Sequence, residues 1–383
     1  MKTLRGVTWK HDRGVKPMLA TAAEYEQRYP DVRIVWESRS LQEFADFSVE
    51  ELTRRYDLVV LDHPHMGTAV RAGCLVPLDQ NVPSQVLERL QQESVGKSYQ
   101  SYVFDGQLWS FPIDAAAQVA AYRPDILERL NFPIPRTWDD VDALASSHPG
   151  AVCLPLLPTD ALMIFFTLCA NSGEEPFSQG AETVVTEKTG LPALERLRRF
   201  ATYSAPEALS WSPVQMWERM TDTDTIAYCP LGFGYSNYAR PGYRQKILSF
   251  TDIPLGIDGK SSGSTLGGTG LGISSNSEHR DIAVSYATWV AQPACQSTTY
   301  FLAGGQPANR VAWTGDLVNA QSSNFFRDTL QTLDLAYLRP KWNGFVEFQQ
   351  LAFKEMETYL KHPICAADTL KALNKLAARH RKP

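Results

Sequence analysis

The sequence predicts an α/β protein, and two patterns in its first hundred residues carry this prediction. Short apolar segments of strand length alternate with segments whose apolar residues recur at helical spacing. The apolar run at residues 57–62 (DLVVLD) is continuous, as is typical of a parallel strand that is buried on both faces. A strand–helix–strand–helix–strand order of this kind indicates a parallel sheet with right-handed crossovers.

The strands that surround the first predicted helix have clear local signals. Residues 4–9 form an apolar strand, and residues 32–36 (VRIVW) alternate like a half-buried strand. Between them, Pro17 predicts the start of a helix that ends near Arg28, because proline is favoured at the first helical position. The sequence Tyr-Pro-Asp at residues 29–31 then breaks the helix.

Capping signals predict where further helices begin. Residues 40–43 and 48–51 both read Ser-x-x-Glu, the capping box in which a hydroxyl and a carboxylate bond to free amides at a helix start. The segment His63-Pro64-His65 turns from the strand at 57–62 into a helix that ends near Gly73. Thr137, followed by two aspartates at residues 139 and 140, predicts another helix start.

Beyond residue 108 the pattern changes to that of a second α/β region. Asp114 lies between two extended apolar stretches in residues 109–122, and residues 151–156 predict a strand. The remaining predicted elements are a buried helix at 161–169, a helix at 281–290 and a mostly helical tail from 324. Residues 261–274 are the stretch richest in Gly and Ser, where a crossing between domains is expected.

Composition narrows the class of protein. A chain of 383 residues predicts two or three domains. With 37 basic and 42 acidic residues the net charge is −5, so we expect no nucleic-acid partner. The longest apolar run, residues 161–170, is too short to span a bilayer. The cysteines are scattered and predict core thiols rather than disulfides, namely Cys74, Cys153, Cys169, Cys229, Cys295 and Cys365.

Localisation stays open at this stage. The first nine residues, MKTLRGVTW, contain no apolar core of a signal peptide. We therefore expect the cell envelope if a signal peptide has been removed, and the cytoplasm if Met1 is the native start.

Several segments, in order and spacing, carry a family resemblance. They are LRGVTWKHDRG (4–14), WSFPIDAAAQVAAYRPDIL (109–127), NSGEEPF (171–177), YCPLGFGYSNYAR (228–240), LGGTGLGIS (266–274) and GGQPANRVAW (304–313). With these segments the chain resembles the extracellular solute-binding proteins of bacterial ABC importers, the family of the sugar-binding and maltose-binding proteins. The resemblance covers nearly the whole length.

The resemblance implies a two-lobed, type II periplasmic-binding-protein-like fold. Each lobe would be a mainly parallel sheet flanked by helices, and the C-terminal tail would be helical. Lobe one would comprise residues 1–111 plus 267–312, and lobe two residues 112–266 plus 313–383. The ligand would bind in a cleft between the lobes, which would close by hinge motion at the crossings near Pro112 and Gly268.

The same resemblance implies a binding function. The ligand would be a small polar solute, a carbohydrate or sugar derivative, that the chain passes to an ABC permease. No cofactor is expected, and we predict a monomer without enzymatic activity.

A first set of candidate ligand residues comes from the carboxyl ends of the predicted strands, where parallel sheets place their sites. Aromatic faces pack on the C–H groups of sugars, while carboxylates and other polar groups bind hydroxyls. The candidates are Trp9, His11, Asp62, His65 and Asp114. Two alternatives stay open: the Trp9 ring packs in the core, and Asp62 caps the helix that follows it.

Further candidates come from later segments. Tyr235, Asn237 and Tyr238 lie in a dense cluster of aromatic and polar groups after an apolar strand, which favours a ligand loop over a wet surface turn. Gly268 could bring backbone amides close to a ligand or act only as a hinge. Trp313 is a candidate aromatic platform, although a single tryptophan is more often a core residue.

A rival hypothesis is a cytoplasmic enzyme or sensor that acts on a small metabolite. The four groups Asp62, His63, His65 and Asp114 could then serve in acid–base chemistry. Cys153 is a weak candidate nucleophile, since no histidine is tied to it by the sequence. His63-Pro64-His65 is a weak metal signal without a third ligand, so we predict no metal.

Overall fold

The computed structural model describes residues 1–40 and 48–380. The chain folds into two compact units, each assembled from separate stretches of sequence. Unit 1 consists of Met1–Ala115, Gly267–Asn319 and Lys341–Asn343, and unit 2 consists of Ala116–Leu266, Ala320–Pro340 and Gly344–Pro383. Residues 313–319 thus belong to unit 1, whereas the expected boundaries put them in lobe two.

The regular elements are numbered here in chain order. The strands are β1 (Lys2–Trp9), β2 (Val32–Arg39), β3 (Leu58–Leu61), β4 (Val103–Phe104), β5 (Gln107–Leu108), β6 (Ser110–Tyr122), β7 (Tyr228–Phe233), β8 (Ser249–Thr251) and β9 (Leu266–Ile273). The helices up to residue 203 are α1 (Asp12–Arg28), α2 (Val49–Thr53), α3 (Met66–Arg71), α4 (Ser84–Gln92), α5 (Ser98–Ser101), α6 (Pro124–Leu130), α7 (Trp138–Ser147), α8 (Pro158–Asn171) and α9 (Glu187–Tyr203). The later helices are α10 (Pro213–Asp222), α11 (Arg280–Ala291), α12 (Pro293–Cys295), α13 (Arg310–Thr314), α14 (Asp316–Ala320), α15 (Phe325–Asp328), α16 (Leu330–Asp334), α17 (Phe345–Lys361) and α18 (Ala366–His380).

The sheet of unit 1 has the strand order β2-β1-β3-β9. β1 pairs in parallel with both β2 and β3, so the predicted parallel arrangement of the first three strands is confirmed. β3 is buried at all four positions, as its continuous apolar sequence predicts. β9 runs antiparallel to β3, with Leu58 opposite Ile273 and Leu61 opposite Gly270.

The first helix begins earlier than the sequence predicts. α1 starts at Asp12 and contains Pro17 in its interior, so a start at Pro17 is wrong. The true cap is His11, whose backbone is extended and whose ring Nδ1 accepts a hydrogen bond from the amide of Arg13 at 3.0 Å. Pro17 has no amide to donate to the carbonyl four residues earlier, so α1 lacks one intrahelical hydrogen bond at this position.

Two of the predicted capping boxes are present. Ser48 Oγ accepts from the amide of Glu51 at 3.2 Å, and the Glu51 carboxylate accepts from the amide of Ser48 at 3.3 Å. Thr137 and Asp140 form the equivalent pair at the start of α7. The box predicted at residues 40–43 lies outside the described residues.

The sheet of unit 2 is built around β6 and differs from the prediction. β6 pairs antiparallel with β7 and also with β8, so a mainly parallel sheet describes unit 1 but not unit 2. β6 is buried along nearly its whole length. A continuous apolar strand reports burial on both faces, and that burial is compatible with either strand direction.

The strand predicted at residues 151–156 does not form. Val152 makes a single bridge to Tyr228, and the chain then leaves the sheet. Pro155 has no amide to donate, while the amide of Leu154 donates to Ser204 Oγ at 3.0 Å and that of Leu156 to the Ala208 carbonyl at 2.9 Å. Side-chain and loop acceptors therefore replace the ladder.

The core of unit 2 contains the buried helix that the sequence predicts. In α8 every side chain from Asp160 to Asn171 is buried. The helix packs against α9 and α17. At its C-terminal end Asn171 Oδ1 accepts a hydrogen bond from the indole of Trp138 at 2.8 Å.

The six thiols are not all core residues. Five cysteines are buried, as predicted, but Cys365 is exposed. Its Sγ accepts a hydrogen bond from the amide of Asp368 at 3.4 Å, so it caps the start of α18. None of the helices in the described part of the chain has both the length and the apolar content needed to cross a membrane.

Candidate functional site

The register of unit 1 brings two of the predicted strand ends to one edge of the sheet. Gly6 lies opposite Leu58 and Val7 opposite Val59 in the parallel pair of β1 and β3. Trp9 at the end of β1 and Asp62 just after β3 therefore lie at the same edge. Ligand sites of parallel sheets form at such edges.

Trp9 packs onto the first turn of α1. Its side chain is 5% exposed, and its ring stacks on that of His11 with centroids 5.4 Å apart. The guanidinium of Arg13 lies 5.8 Å from the ring centroid. A Cβ atom at Gly14 would approach the indole to 2.6 Å, so only glycine fits beneath the ring. The packing role that the sequence left open for Trp9 is present in the structure.

Asp114 is held by Arg13 in a buried ion pair. Arg13 Nε donates to Asp114 Oδ2 at 2.7 Å, and Arg13 Nη2 donates to Oδ1. Both side chains are almost fully buried. Burial raises the pKa of Asp114, and the Arg13 guanidinium opposes that rise by favouring the carboxylate. The pair ties the start of α1 to β6.

Gly268 lies against the backbone of Asp114. It has a φ of +98°, and a Cβ atom at this position would approach the Asp114 carbonyl oxygen to 2.3 Å. Both the conformation and the contact require glycine. Through these contacts Trp9, His11, Arg13, Asp114 and Gly268 form one connected group in unit 1, which we call the Arg13 cluster.

Two residues beside the Arg13 cluster, Tyr300 and Gln306, are not among the candidates that the sequence predicts. Tyr300 is almost fully buried, and burial together with the nearby charge of Asp114 raises its pKa well above the ordinary value. Gln306 donates through Nε2 to the Ala115 carbonyl at 2.8 Å. Gln306 lies in the segment GGQPANRVAW that carries the resemblance, but no local pattern links that segment to β6.

Asp62 caps the turn that follows β3. Its Oδ1 accepts a hydrogen bond from the amide of His63 at 2.8 Å and lies 3.0 Å from His63 Nδ1. His63 is fully buried, and its ring meets that of Tyr102 edge-on at 6.4 Å. Asp62 and His65 are only partly buried, so polar atoms at this turn remain accessible to a solute.

Trp313 is packed inside unit 1. Its side chain is 2% exposed, and its indole Nε1 donates to the Pro307 carbonyl at 2.6 Å. Its own carbonyl accepts from Asn319 Nδ2 at 2.8 Å. These contacts are those of a core residue, and they place Trp313 in unit 1 rather than in the lobe where it was expected.

The tyrosine-rich segment of unit 2 is a buried turn. Tyr235, Asn237 and Tyr238 lie at or within the short 3₁₀ turn after β7, and all three are buried. Tyr238 donates its hydroxyl to Glu218 Oε1 at 2.6 Å, and Arg244 Nε donates to Glu218 Oε2 at 2.7 Å. Burial raises the pKa of Tyr238. The wet surface turn considered as an alternative is therefore wrong.

The groups that would support an enzyme are constrained by their surroundings. Burial raises the pKa of the Cys153 thiol, which disfavours the thiolate that a nucleophile requires. Asp114 already uses both carboxylate oxygens on Arg13. Across residues 1–40 and 48–380, no group of three or more His, Cys, Asp and Glu side chains is placed to hold a metal ion.

Comparison with known families identifies the chain. A model of the bacterial extracellular solute-binding proteins matches residues 11–296. The chain belongs to this family. A search of curated proteins found no match.

Solved structures share the fold over nearly the whole chain. Maltose-bound MalE3 of T. maritima is 16% identical and superposes with a TM-score of 0.84, covering 98% of this chain and 99% of its own. A solute-binding protein of Agrobacterium radiobacter K84 in complex with ribitol is 18% identical, with a TM-score of 0.82 and coverage of 99% and 98%. One from Thermotoga lettingae TMO bound with α-D-tagatose is 16% identical, with a TM-score of 0.82 and coverage of 99% of both chains. The predicted α/β, type II periplasmic-binding fold class is confirmed.

Proposed function

We propose that the chain is the substrate-binding component of an ABC transporter and that its solute is a carbohydrate or a sugar alcohol. The observation that carries the proposal is the family match over residues 11–296. The three structures named above, which share the fold, are described with maltose, ribitol and α-D-tagatose. These ligands share a row of hydroxyl groups and carry no charge.

In unit 1 the turn after β3 supplies polar groups for such a ligand. We propose that Asp62 and His65 bind hydroxyl groups, because both side chains are only partly buried. Asp62 is already oriented by its bond from the amide of His63, so little side-chain entropy is lost on binding. The partly buried His11, fixed as the cap of α1, is the third polar candidate.

The Arg13 cluster stabilises the edge of unit 1 that carries the proposed ligand groups Asp62, His65 and His11. The buried pair of Arg13 and Asp114 fixes the start of α1, and Trp9 packs on that start. We assign Asp114 and Gly268 the role of holding this edge of unit 1 in shape. In unit 2 we propose that Tyr235 and Asn237 contribute to binding, while Tyr238 is held by Glu218 as a support.

We propose that the chain binds without catalysing a reaction, that it acts as a monomer and that an ABC permease receives the solute. The family is one of solute-binding proteins. The raised pKa of Cys153 and the full engagement of Asp114 by Arg13 also disfavour the rival enzyme.

A thermal-shift screen followed by calorimetry tests the proposal. The panel contains hexoses, disaccharides, sugar alcohols, amino acids and phosphate, because a bound solute raises the melting temperature by mass action. We expect a hit among the uncharged carbohydrates. A hit confined to amino acids or phosphate would contradict the proposal.

The role of Asp62 is tested with Asp62→Asn, which keeps the capping bond and removes the charge. Losing a charge-assisted hydrogen bond should weaken binding of the sugar by about tenfold or more. Asp258 is the matched control, because its carboxylate also accepts a backbone amide bond, from Lys260 at 3.0 Å, but in unit 2. Asp258→Asn should bind like the wild type, and equal affinity in Asp62→Asn would remove Asp62 from the site.

A further inference from the structure

A cavity of about 240 Å³ lies within unit 2, where the helices α9 and α10 end. Its walls include Tyr203 from the end of α9, Trp211 and Ile226. Pockets for drug-sized ligands measure about 300–1,000 Å³. The size therefore fits a smaller molecule with a body of about one ring.

Among the described residues that line this cavity, Arg219 is the only one with a formal charge at neutral pH. Cys153 also lines the cavity, but burial raises the pKa of its thiol, which stays uncharged. The electrostatics favour a ligand with a single negative charge.

The guanidinium of Arg219 packs near an aromatic ring and leaves its N–H donors available within the described part of the chain. It lies 5.3 Å from the ring centroid of Trp211. In the described part of the chain it makes no ion pair and no hydrogen bond to protein, whereas Arg123 and Arg244 of the same unit are paired with carboxylates. A cation in the last turn of α10 complements the helix dipole, but that role leaves all five N–H donors available.

The hydroxyl protons of Thr223, Thr225 and Ser204 are engaged within the protein, so Arg219 supplies the donors for an anion. The hydroxyls of Thr223 and Thr225 lie 3.1 Å apart, and that of Thr223 donates to the Arg219 carbonyl at 2.8 Å. Since the Thr223 proton is engaged, Thr225 donates its own proton to Thr223 and keeps only acceptor capacity. Ser204 is already occupied, because its Oγ donates to the Phe200 carbonyl and accepts from the amide of Leu154, both at 3.0 Å.

We propose that this cavity is a second ligand site, distinct from the carbohydrate function, that binds a small organic monoanion with a flat body. The guanidinium of Arg219 binds the carboxylate. The rings of Trp211 and Tyr203 enclose the body. Arginine is suited to a planar carboxylate because its fork of donors matches the two oxygens.

The test uses 4-fluorobenzoate as the probe and ligand-observed ¹⁹F NMR on the full chain. We expect saturable binding of 4-fluorobenzoate and none of the neutral 4-fluorobenzamide. Arg219→Gln should weaken binding of the benzoate by about tenfold or more.

The matched control is Arg196, whose guanidinium lies 5.4 Å from the Trp138 ring in the same unit but does not line the cavity. Arg196→Gln should bind the benzoate like the wild type. The proposal is overturned if 4-fluorobenzoate does not bind, if the benzamide binds equally well, or if the two variants lose affinity alike. Because sugar is absent from this experiment, its failure leaves the carbohydrate proposal untouched.

Discussion

Removing the guanidinium of Arg13 should strongly destabilise unit 1. The Arg13 side chain is 4% exposed and that of its partner Asp114 is 2% exposed, so the pair is shielded from water. Arg13→Met keeps most of the volume but leaves the Asp114 carboxylate buried without its cation. Breaking one side of a buried pair costs about 3–5 kcal/mol of the free energy of unfolding.

A second variant separates the effect of the ion pair from the effect of packing. The double variant Arg13→Met with Asp114→Leu removes both charges and replaces them with apolar side chains of similar size. Apolar replacement of a complete buried pair is often neutral or stabilising. The double variant should therefore regain at least half of the stability that Arg13→Met loses.

The loss in Arg13→Met should also depend on pH. Without the guanidinium, burial alone acts on Asp114 and raises its pKa above the value in the unfolded chain. With a raised pKa in the folded state, the neutral Asp114 carboxyl favours folding at low pH. The free energy of unfolding then falls as pH rises through that folded-state pKa. The single variant should thus be closer to the wild type at pH 4 than at pH 8.

Urea unfolding followed by circular dichroism at both pH values is the assay. Arg5→Met is the control, because Arg5 forms an exposed ion pair with Glu37 at 2.8 Å and its loss should change unfolding little. A loss in Arg13→Met no larger than in Arg5→Met, or a double variant less stable than Arg13→Met, would refute the reasoning.

Two further predictions concern unit 2 and the Arg13 cluster. Burial raises the pKa of Asp160 from 3.8 to about 7, so the free energy of unfolding of the wild type should fall by about 4 kcal/mol as pH rises through this window. In urea unfolding, Asp160→Asn should show a flatter dependence of stability on pH. Parallel pH profiles for the variant and the wild type would contradict this prediction. Gly268→Ala should lower the melting temperature more than Gly259→Ala. Both glycines have a positive φ, but of the two only Gly268 would also bring its new Cβ atom to 2.3 Å from a carbonyl oxygen. Equal shifts of the melting temperature in calorimetry would contradict a cost from this contact.

Local signals predicted the elements that depend on neighbouring residues. The capping boxes at Ser48 and Thr137 involve residues three apart, and both form. The buried strand β3 and the buried helix α8 could be predicted because long apolar runs report burial directly. The start of α1 was missed because a histidine cap has no strong sequence signature, whereas Pro17 has one.

Contacts between distant residues could not be predicted from local patterns. Asp114 was selected as a polar residue in an apolar strand, but its partner Arg13 lies 101 residues away. The same holds for Gly268, whose contact with Asp114 depends on how β9 returns to unit 1. The chemistry of individual residues could select Asp114 and Gly268 as candidates, but their contacts emerged only from the fold, and their place in a ligand site stays a prediction.

The direction of the strands in unit 2 could not be predicted for the same reason. Composition and burial predicted that β6 is a core strand, and it is. Whether β7 and β8 run parallel or antiparallel to it depends on the connections between them, which leave no pattern within the strands.

Calorimetric titration of the purified full chain with maltose, α-D-tagatose and ribitol tests the proposed carbohydrate binding most directly. We predict saturable heat with one solute molecule per chain for at least one of these or for another uncharged carbohydrate. Absence of heat for every carbohydrate, together with saturable binding of a charged or apolar solute by the same preparation, would contradict it.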